Sequence, residues 1–235
     1  MPETNFLHEY ELCKDLNLSG VRKALAWEKK KQSHRIYMEY VDGITLSEYI
    51  LTNPSLKDVL VVFCSLSNVL SELHQKSVIH NRLSPDNILL KTDTLTVMLI
   101  DLSESTKYSL KSSHMGNPSK LDGDIHYMAP EQTGRMNRIT DHRSDLYALG
   151  IMLYEFLSGN LPFNYNDPLE LVHAQIAIKP KPFLKSNPDC PEILEAIVFK
   201  LLEKNADRRY QSASGLNMDL EHCLVQLKKS KNISP

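Results

Sequence analysis

Val78-Ile79-His80-Asn81-Arg82-Leu83-Ser84-Pro85-Asp86-Asn87-Ile88-Leu89-Leu90 is the stretch on which the fold turns. An apolar pair opens it, a polar bend closed by Ser-Pro-Asp-Asn follows, and the apolar run Ile88 to Lys91 then reads as a short strand. Lys91 to Thr96 forms a hinge to a second strand, Val97 to Ile100, which delivers Asp101 at its end. Upstream, Ser55-Leu56-Lys57-Asp58 is an S-x-x-D capping box before a long helix that ends near His74, with Leu56, Leu60, Phe63, Leu66, Leu70 and Leu73 on one stripe. The bend therefore sits between a buried helix and a hairpin.

Farther out, Asn5 to Leu16 reads as a helix, and Val21 to Trp27 and Arg35 to Val41 read as strands joined by the lysine-rich Glu28 to His34. Leu46 to Leu51 makes a helical turn. The Ser/Lys/His-rich Ser103 to Asp124 reads as a mobile loop. Leu146 to Ser158 is apolar nearly all round and stops at Gly159, which predicts a central buried helix. Pro168 to Ile178, Pro191 to Glu203 and Ser212 to Leu227 give three more helices. The fold class is α+β: a helix and a hairpin leading into a mainly helical body.

Composition removes several functions. The eight glycines (20, 43, 116, 123, 134, 150, 159 and 215) allow neither G-x-G-x-x-G nor a Walker A loop. Cysteines 13, 64, 190 and 223 lie too far apart along the chain for a C-x-x-C zinc or redox pair, and they read as reduced core thiols. No apolar run is long enough to cross a bilayer, and a net charge of -2 offers no nucleic-acid footprint. The chain is expected to be cytoplasmic, with neither nucleic acid nor membrane as a partner.

The quoted stretch resembles the protein-kinase catalytic loop, H-R-D-L-K-P-x-N followed by a strand. Four further segments match in order: Leu99 to Ser103 resembles the D-F-G segment, Tyr127 to Glu131 contains A-P-E, Asp145 to Gly150 resembles D-x-W-S-x-G, and Asn205 to Arg209 resembles the late segment whose arginine pairs with the A-P-E glutamate. The string Pro130-Glu131-Gln132-Thr133-Gly134-Arg135-Met136-Asn137-Arg138 is similar to the kinase-like domains that open bacterial and fungal hybrid sensor histidine kinases.

The resemblance implies a protein-kinase-like fold: a partial small lobe over residues 1–41, a large lobe over 42–227 and a flexible basic tail over 228–235. It places Met38, Glu39, Val41 and Leu89 at nucleotide-binding positions, and Asn87 and Asp101 at the magnesium ligands. Glu9 takes the place of the regulatory-helix glutamate. With only 37 residues ahead of Met38, the first small-lobe strands, the glycine loop and the lysine that pairs with Glu9 are expected to be missing, leaving Glu9 an exposed carboxylate. ATP and Mg²⁺ are then expected to bind weakly.

Two departures bear on catalysis. Arg82 stands where the family has its catalytic aspartate, and a guanidinium, always protonated, cannot accept a proton. Ser84 replaces the phosphate-contacting lysine. Asp124 replaces the threonine that follows the segment's glycine, so an Arg82–Asp124 salt bridge across the cleft is expected. The remaining matches are structural: His80 as a core histidine, Asp145 capping backbone near it, and Glu131 paired with Arg209. Asn81 replaces the phosphate-reading arginine, and Ser103, Ser105, Thr106, Ser109, Ser112, Ser113 and Ser119 offer hydroxyls for phosphorylation, although a solvated loop explains them better.

Three readings follow. The first is a catalytically impaired pseudokinase with a binding, scaffolding or signalling role, taking a protein partner along an exposed small-lobe strand edge. The second is an active ATP-dependent serine/threonine kinase. The third is a shortened remnant of a larger signalling kinase.

Overall fold

The computed structural model describes residues 3–30, 33–107, 124–184, 187 and 190–230. In chain order the elements are α1 (Glu3–Asp15), β1 (Ala24–Lys30), β2 (Ser33–Met38), β3 (Ile44–Thr45), α2 (Leu46–Ile50), α3 (Leu56–Gln75), β4 (Val78–Ile79), β5 (Ile88–Lys91), β6 (Thr96–Leu99), β7 (Thr106–Lys107), α4 (Arg143–Ser158), α5 (Pro168–Ala177), α6 (Glu192–Leu201) and α7 (Ala213–Ser230). The second half is helical, and the first mixes three helices with short antiparallel strand pairs, so the architecture is α+β.

The amino-terminal part is α1 laid across the β1–β2 hairpin. Its anchor is aromatic: Trp27 stacks on Tyr10 of α1 at 6.4 Å and on His34 across the hairpin at 5.7 Å. The strands run further than the lysine-rich connector suggested, because Glu28, Lys29 and Lys30 pair with Arg35, His34 and Ser33. Polar residues suit a hairpin whose outer face meets water, so their composition reported exposure rather than a loop. At the other end β1 begins at Ala24, and Val21 instead forms an isolated parallel bridge to Leu99.

That bridge joins the two halves. Leu99 N–H donates to Gly20 carbonyl at 2.8 Å and Arg22 N–H donates to Leu99 carbonyl at 3.0 Å. Gly20 is there because no side chain fits: a Cβ would fall 2.2 Å from Val69 Cγ2 on α3.

The body is organised around α3 and α4. Ser55 caps α3 by accepting from Asp58 N–H, and the predicted stripe is buried from Leu60 to Leu73, with Leu56 half-buried at the first turn. Helix α4 is buried along most of its length and ends at Gly159, whose φ of 73° is the left-handed conformation glycine adopts without strain. α7 packs on α3, and α6 packs on α4. Burial of α4 around most of its circumference is what makes its pattern apolar on nearly every side.

β5 and β6 pair antiparallel, with Ile88 opposite Leu99 and Lys91 opposite Thr96, and β3 adds to the other edge of β5. Thr106 and Lys107, expected in a mobile loop, form β7 against Ile79 and Val78. Residues 108–123, which carry Ser109, Ser112, Ser113 and Ser119, lie outside the described residues, and so does most of the expected basic tail. Among the described residues no helix is long and apolar enough to cross a membrane, and the four cysteines are free thiols.

Candidate functional site

The bend between β4 and β5 is built on Asp145, at the buried start of α4. Its carboxylate accepts the backbone N–H of His80 (2.9 Å) and of Asn81 (2.9 Å), and His74 Nε2 donates to it at 2.9 Å. Burial pushes this carboxyl up, but the His74 hydrogen bond, the two neighbouring histidines and the His80 N–H outweigh it and hold it below the usual aspartate value. His80 is fully enclosed; its Nε2 donates to Ile100 carbonyl at 3.2 Å, and burial holds its imidazole below the usual value.

Asn81 has a φ of 64°, a left-handed conformation that asparagine tolerates better than most residues. Its Nδ2 donates to Glu104 carbonyl and to Thr106 Oγ1, each at 3.0 Å, and its carbonyl accepts from Gln132 Nε2 at 2.7 Å. One residue thus ties the bend to the segments on either side of residues 108–123. Sequence reasoning saw only a lost arginine there, and no periodicity marks Gln132 or the His8 Nε2–H bond to Ser105 carbonyl at 2.6 Å. Ser103 and Ser105 are buried, so neither is an open modification site.

Asp101 also sits at positive φ, 57°. Arg82 Nη1 lies 3.2 Å from its Oδ2, while Oδ1 accepts the Ser103 hydroxyl at 2.6 Å and the Ser103 N–H at 3.4 Å. Asn87 Nδ2 donates to Arg82 carbonyl at 2.8 Å, which fixes the bend from the β5 side. The expected Arg82–Asp124 bridge does not form. Asp124 instead caps the short turn Ile125–Tyr127, accepting from His126 N–H (3.0 Å) and His126 Nδ1 (2.7 Å). A partner two residues away has no loop to close, so the local contact takes the carboxylate.

Glu9 corrects a second expectation. Rather than an exposed carboxylate it is half-buried, hydrogen-bonded by the Leu102 backbone and influenced by both Asp101 and Arg22. Burial, then the Asp101 charge, pushes its carboxyl up. Glu9, Asp101, Arg22 and Arg82 form one charge cluster beside the D-F-G-like segment.

The residues at the nucleotide-binding positions come from β2, the segment after it and β5. Met38 ends β2 half-buried, Glu39 N–H donates to Lys23 carbonyl at 2.9 Å, Val41 follows half-buried, and Leu89 pairs with Thr45 and Met98. Ser84 is buried at the start of the Pro85–Asn87 turn. A divalent metal would need carboxylate oxygen from Asp101 and amide oxygen from Asn87. Those residues do not fit one as arranged, because each Asp101 oxygen already has a donor and one donor is a permanent cation. Among the described residues no group of three or more His, Cys, Asp or Glu side chains could hold a metal ion.

Glu131 and Arg209 complete the frame with a buried two-point ion pair, Nη1 to Oε1 at 2.6 Å and Nη2 to Oε2 at 2.8 Å. The comparisons agree with this architecture. The model of the protein kinase domain matches residues 1–220, so the chain belongs to the protein kinase family. It is 30% identical over 189 residues to the serine/threonine-protein kinase PrkC of Bacillus subtilis, covering 79% of this chain and 28% of that protein. It is 33% identical over 201 residues to a probable serine/threonine-protein kinase of Clostridium perfringens, covering 85% of this chain and 28% of that protein. A hybrid signal transduction histidine kinase of Dictyostelium discoideum is 48% identical over 102 residues, 43% of this chain and 3% of that protein. The chain spans less than a third of these relatives.

Proposed function

We propose that this is a catalytically impaired kinase-like domain that acts through binding in a signalling protein. The observation that carries the reading is Arg82 at the base position, with its guanidinium on Asp101 at 3.2 Å. A permanently charged group there cannot take the substrate hydroxyl's proton, and loss of a general base costs about 10²–10⁴ in rate. Ser84 removes a second cation from the phosphate path. The site is expected to favour neither tight ATP nor tight Mg²⁺ binding. Free thiols throughout support a reducing, cytoplasmic setting.

A protein partner has a surface to use. β1 and β2 form a two-stranded sheet among the described residues, with Leu25 65% and Tyr37 47% exposed. An extended segment adding along that hairpin would satisfy its open edge. The rival reading, an active serine/threonine kinase, draws on the names of the relatives and on Asn87 and Asp101. A phosphotransfer assay with radiolabelled ATP, Mg²⁺ and generic serine/threonine substrates separates the two. No incorporation above background is expected, with an Arg82→Asp control run beside it, and robust turnover by the wild type would sink the proposal.

A further inference from the structure

The charge cluster says more than that a base is missing. In this arrangement Asp101 has a donor on each carboxylate oxygen, Ser103 on Oδ1 and Arg82 on Oδ2. Ser103 contributes neutral dipoles, whereas Arg82 contributes a full positive charge that no accessible pH removes. The Arg82 backbone is held as well, since its carbonyl accepts from Asn87 Nδ2 at 2.8 Å. Both residues at the magnesium-ligand positions are therefore engaged with the same arginine. Glu9, which feels the charges of both Asp101 and Arg22, adds one further group of each sign, so the carboxylates Glu9 and Asp101 are matched by the guanidinium groups Arg22 and Arg82. A cluster neutralised from within has little remaining attraction for a small dication, which would also have to approach a fixed positive charge.

We propose that the Arg82 guanidinium is a resident cation standing in for a divalent metal at Asp101, so that the site excludes Mg²⁺ and Mn²⁺ and stays assembled without them. The proposal rests on the kinase-like, impaired reading given above and extends it. In a metal-dependent kinase site the aspartate after β6 is organised when metal and nucleotide arrive. Here the same aspartate is tied to the bend by a side chain of the protein itself. The surface around the bend then keeps one shape whatever the nucleotide and metal supply, which suits a binding domain.

Mn²⁺ titration of the full chain, followed by the electron paramagnetic resonance signal of free Mn²⁺, tests this directly. The wild type and Asp101→Asn are expected to give the same titration, with no ion bound at Asp101. Arg82→Ala is expected to bind one Mn²⁺ at least about tenfold more tightly than wild type, since a repelling unit charge has been removed. Adding Asp101→Asn to Arg82→Ala should abolish that gain. Arg82→Gln, which keeps a donor without the charge, gives the same test if Arg82→Ala is unfolded by circular dichroism. Mn²⁺ bound by wild type and lost in Asp101→Asn would overturn the proposal, and so would folded Arg82 variants that gain no ion. Failure of the impaired-kinase reading is visible separately, as label transfer by wild type whatever the Mn²⁺ titration shows.

Discussion

Arg209 and Glu131 form a two-point ion pair whose side chains are 0% and 2% exposed. It joins the A-P-E-like turn to the loop before α7, across 78 residues of sequence. The pair is fully satisfied, because Arg209 also donates to the carbonyls of Glu203 (2.7 Å), Arg143 (3.1 Å) and Lys204 (3.3 Å). Two charges out of water gain little over an apolar pair, but one left alone is costly. Glu131→Gln and Arg209→Ala are each expected to lose about 3–5 kcal/mol of stability. Urea unfolding of the two single variants and of Glu131→Leu with Arg209→Met checks this, because the double replacement should cost less than the two losses added together.

Gly150 makes a prediction opposite to helix propensity. Glycine inside a helix is about 1 kcal/mol worse than alanine, and Gly150 lies mid-way along α4. A methyl group there would sit 2.6 Å from Leu201 Cβ, a stem atom at the end of α6, and 3.1 Å from Leu202 Cδ2, a buried branch of the residue after it. Gly150→Ala is therefore expected to destabilise by about 1–3 kcal/mol through overpacking. A melting temperature at or above wild type would show that α6 moves aside freely.

Acid should loosen the bend. His80 is buried and neutral, its imidazole held below 6.5 first by burial, against the pull of Asp145. The unfolded chain takes up this proton near pH 6.5 and the folded chain resists it, so stability falls as pH drops below about 6.5, by up to about 1.4 kcal/mol per unit. Asp145, held below 3.8, contributes stability that is present above that value and is lost on further acidification. His80→Gln should flatten the decline between pH 6.5 and 5. An unchanged slope in the variant would exclude His80 as its source.

How far the sequence carried the reading depends on the range of each contact. The bend from His80 to Asn87, the β5–β6 hairpin and the apolar α4 were legible because strand and helix periods and a five-motif order act over short windows. Partner choice was legible where the resemblance supplied both residues, as for Glu131 with Arg209, but not for Arg82. The sequence reading paired Arg82 with Asp124, whereas Asp124 accepts from His126 two residues later and Arg82 turns to Asp101. Glu9 was misjudged for a related reason: its partner is a backbone N–H at Leu102, and backbone groups leave no mark in a residue pattern. The β1–β2 connector was misread because a run of lysines reports solvent, and an exposed strand meets solvent as fully as a loop does.

Lys204 gives the last prediction. Its Nζ lies 3.1 Å from Tyr147 Oη, 3.2 Å from Ala174 carbonyl and 4.2 Å from the centre of the Phe163 ring. Tyr147 Oη donates its hydrogen bond to Gln175 Oε1 at 2.6 Å, and Gln175 Nε2 donates to His126 carbonyl at 2.6 Å, so the amine anchors a chain of contacts running to the turn after Asp124. Burial, then the Arg209 charge, brings this amine down to about 7, with Glu203 opposing. Between about pH 7 and 10.5 the unfolded chain carries a proton there that the folded chain has shed. Stability should therefore climb with pH from about 7 upward and show no contribution from this group below it. Lys204→Met removes the titration while filling the same apolar space. Melting temperatures from pH 7 to 9.5 should rise more steeply for wild type than for the variant. Parallel curves would mean that Lys204 keeps its proton in the folded chain and that the Phe163 ring and the Ala174 carbonyl are enough to hold an ammonium there.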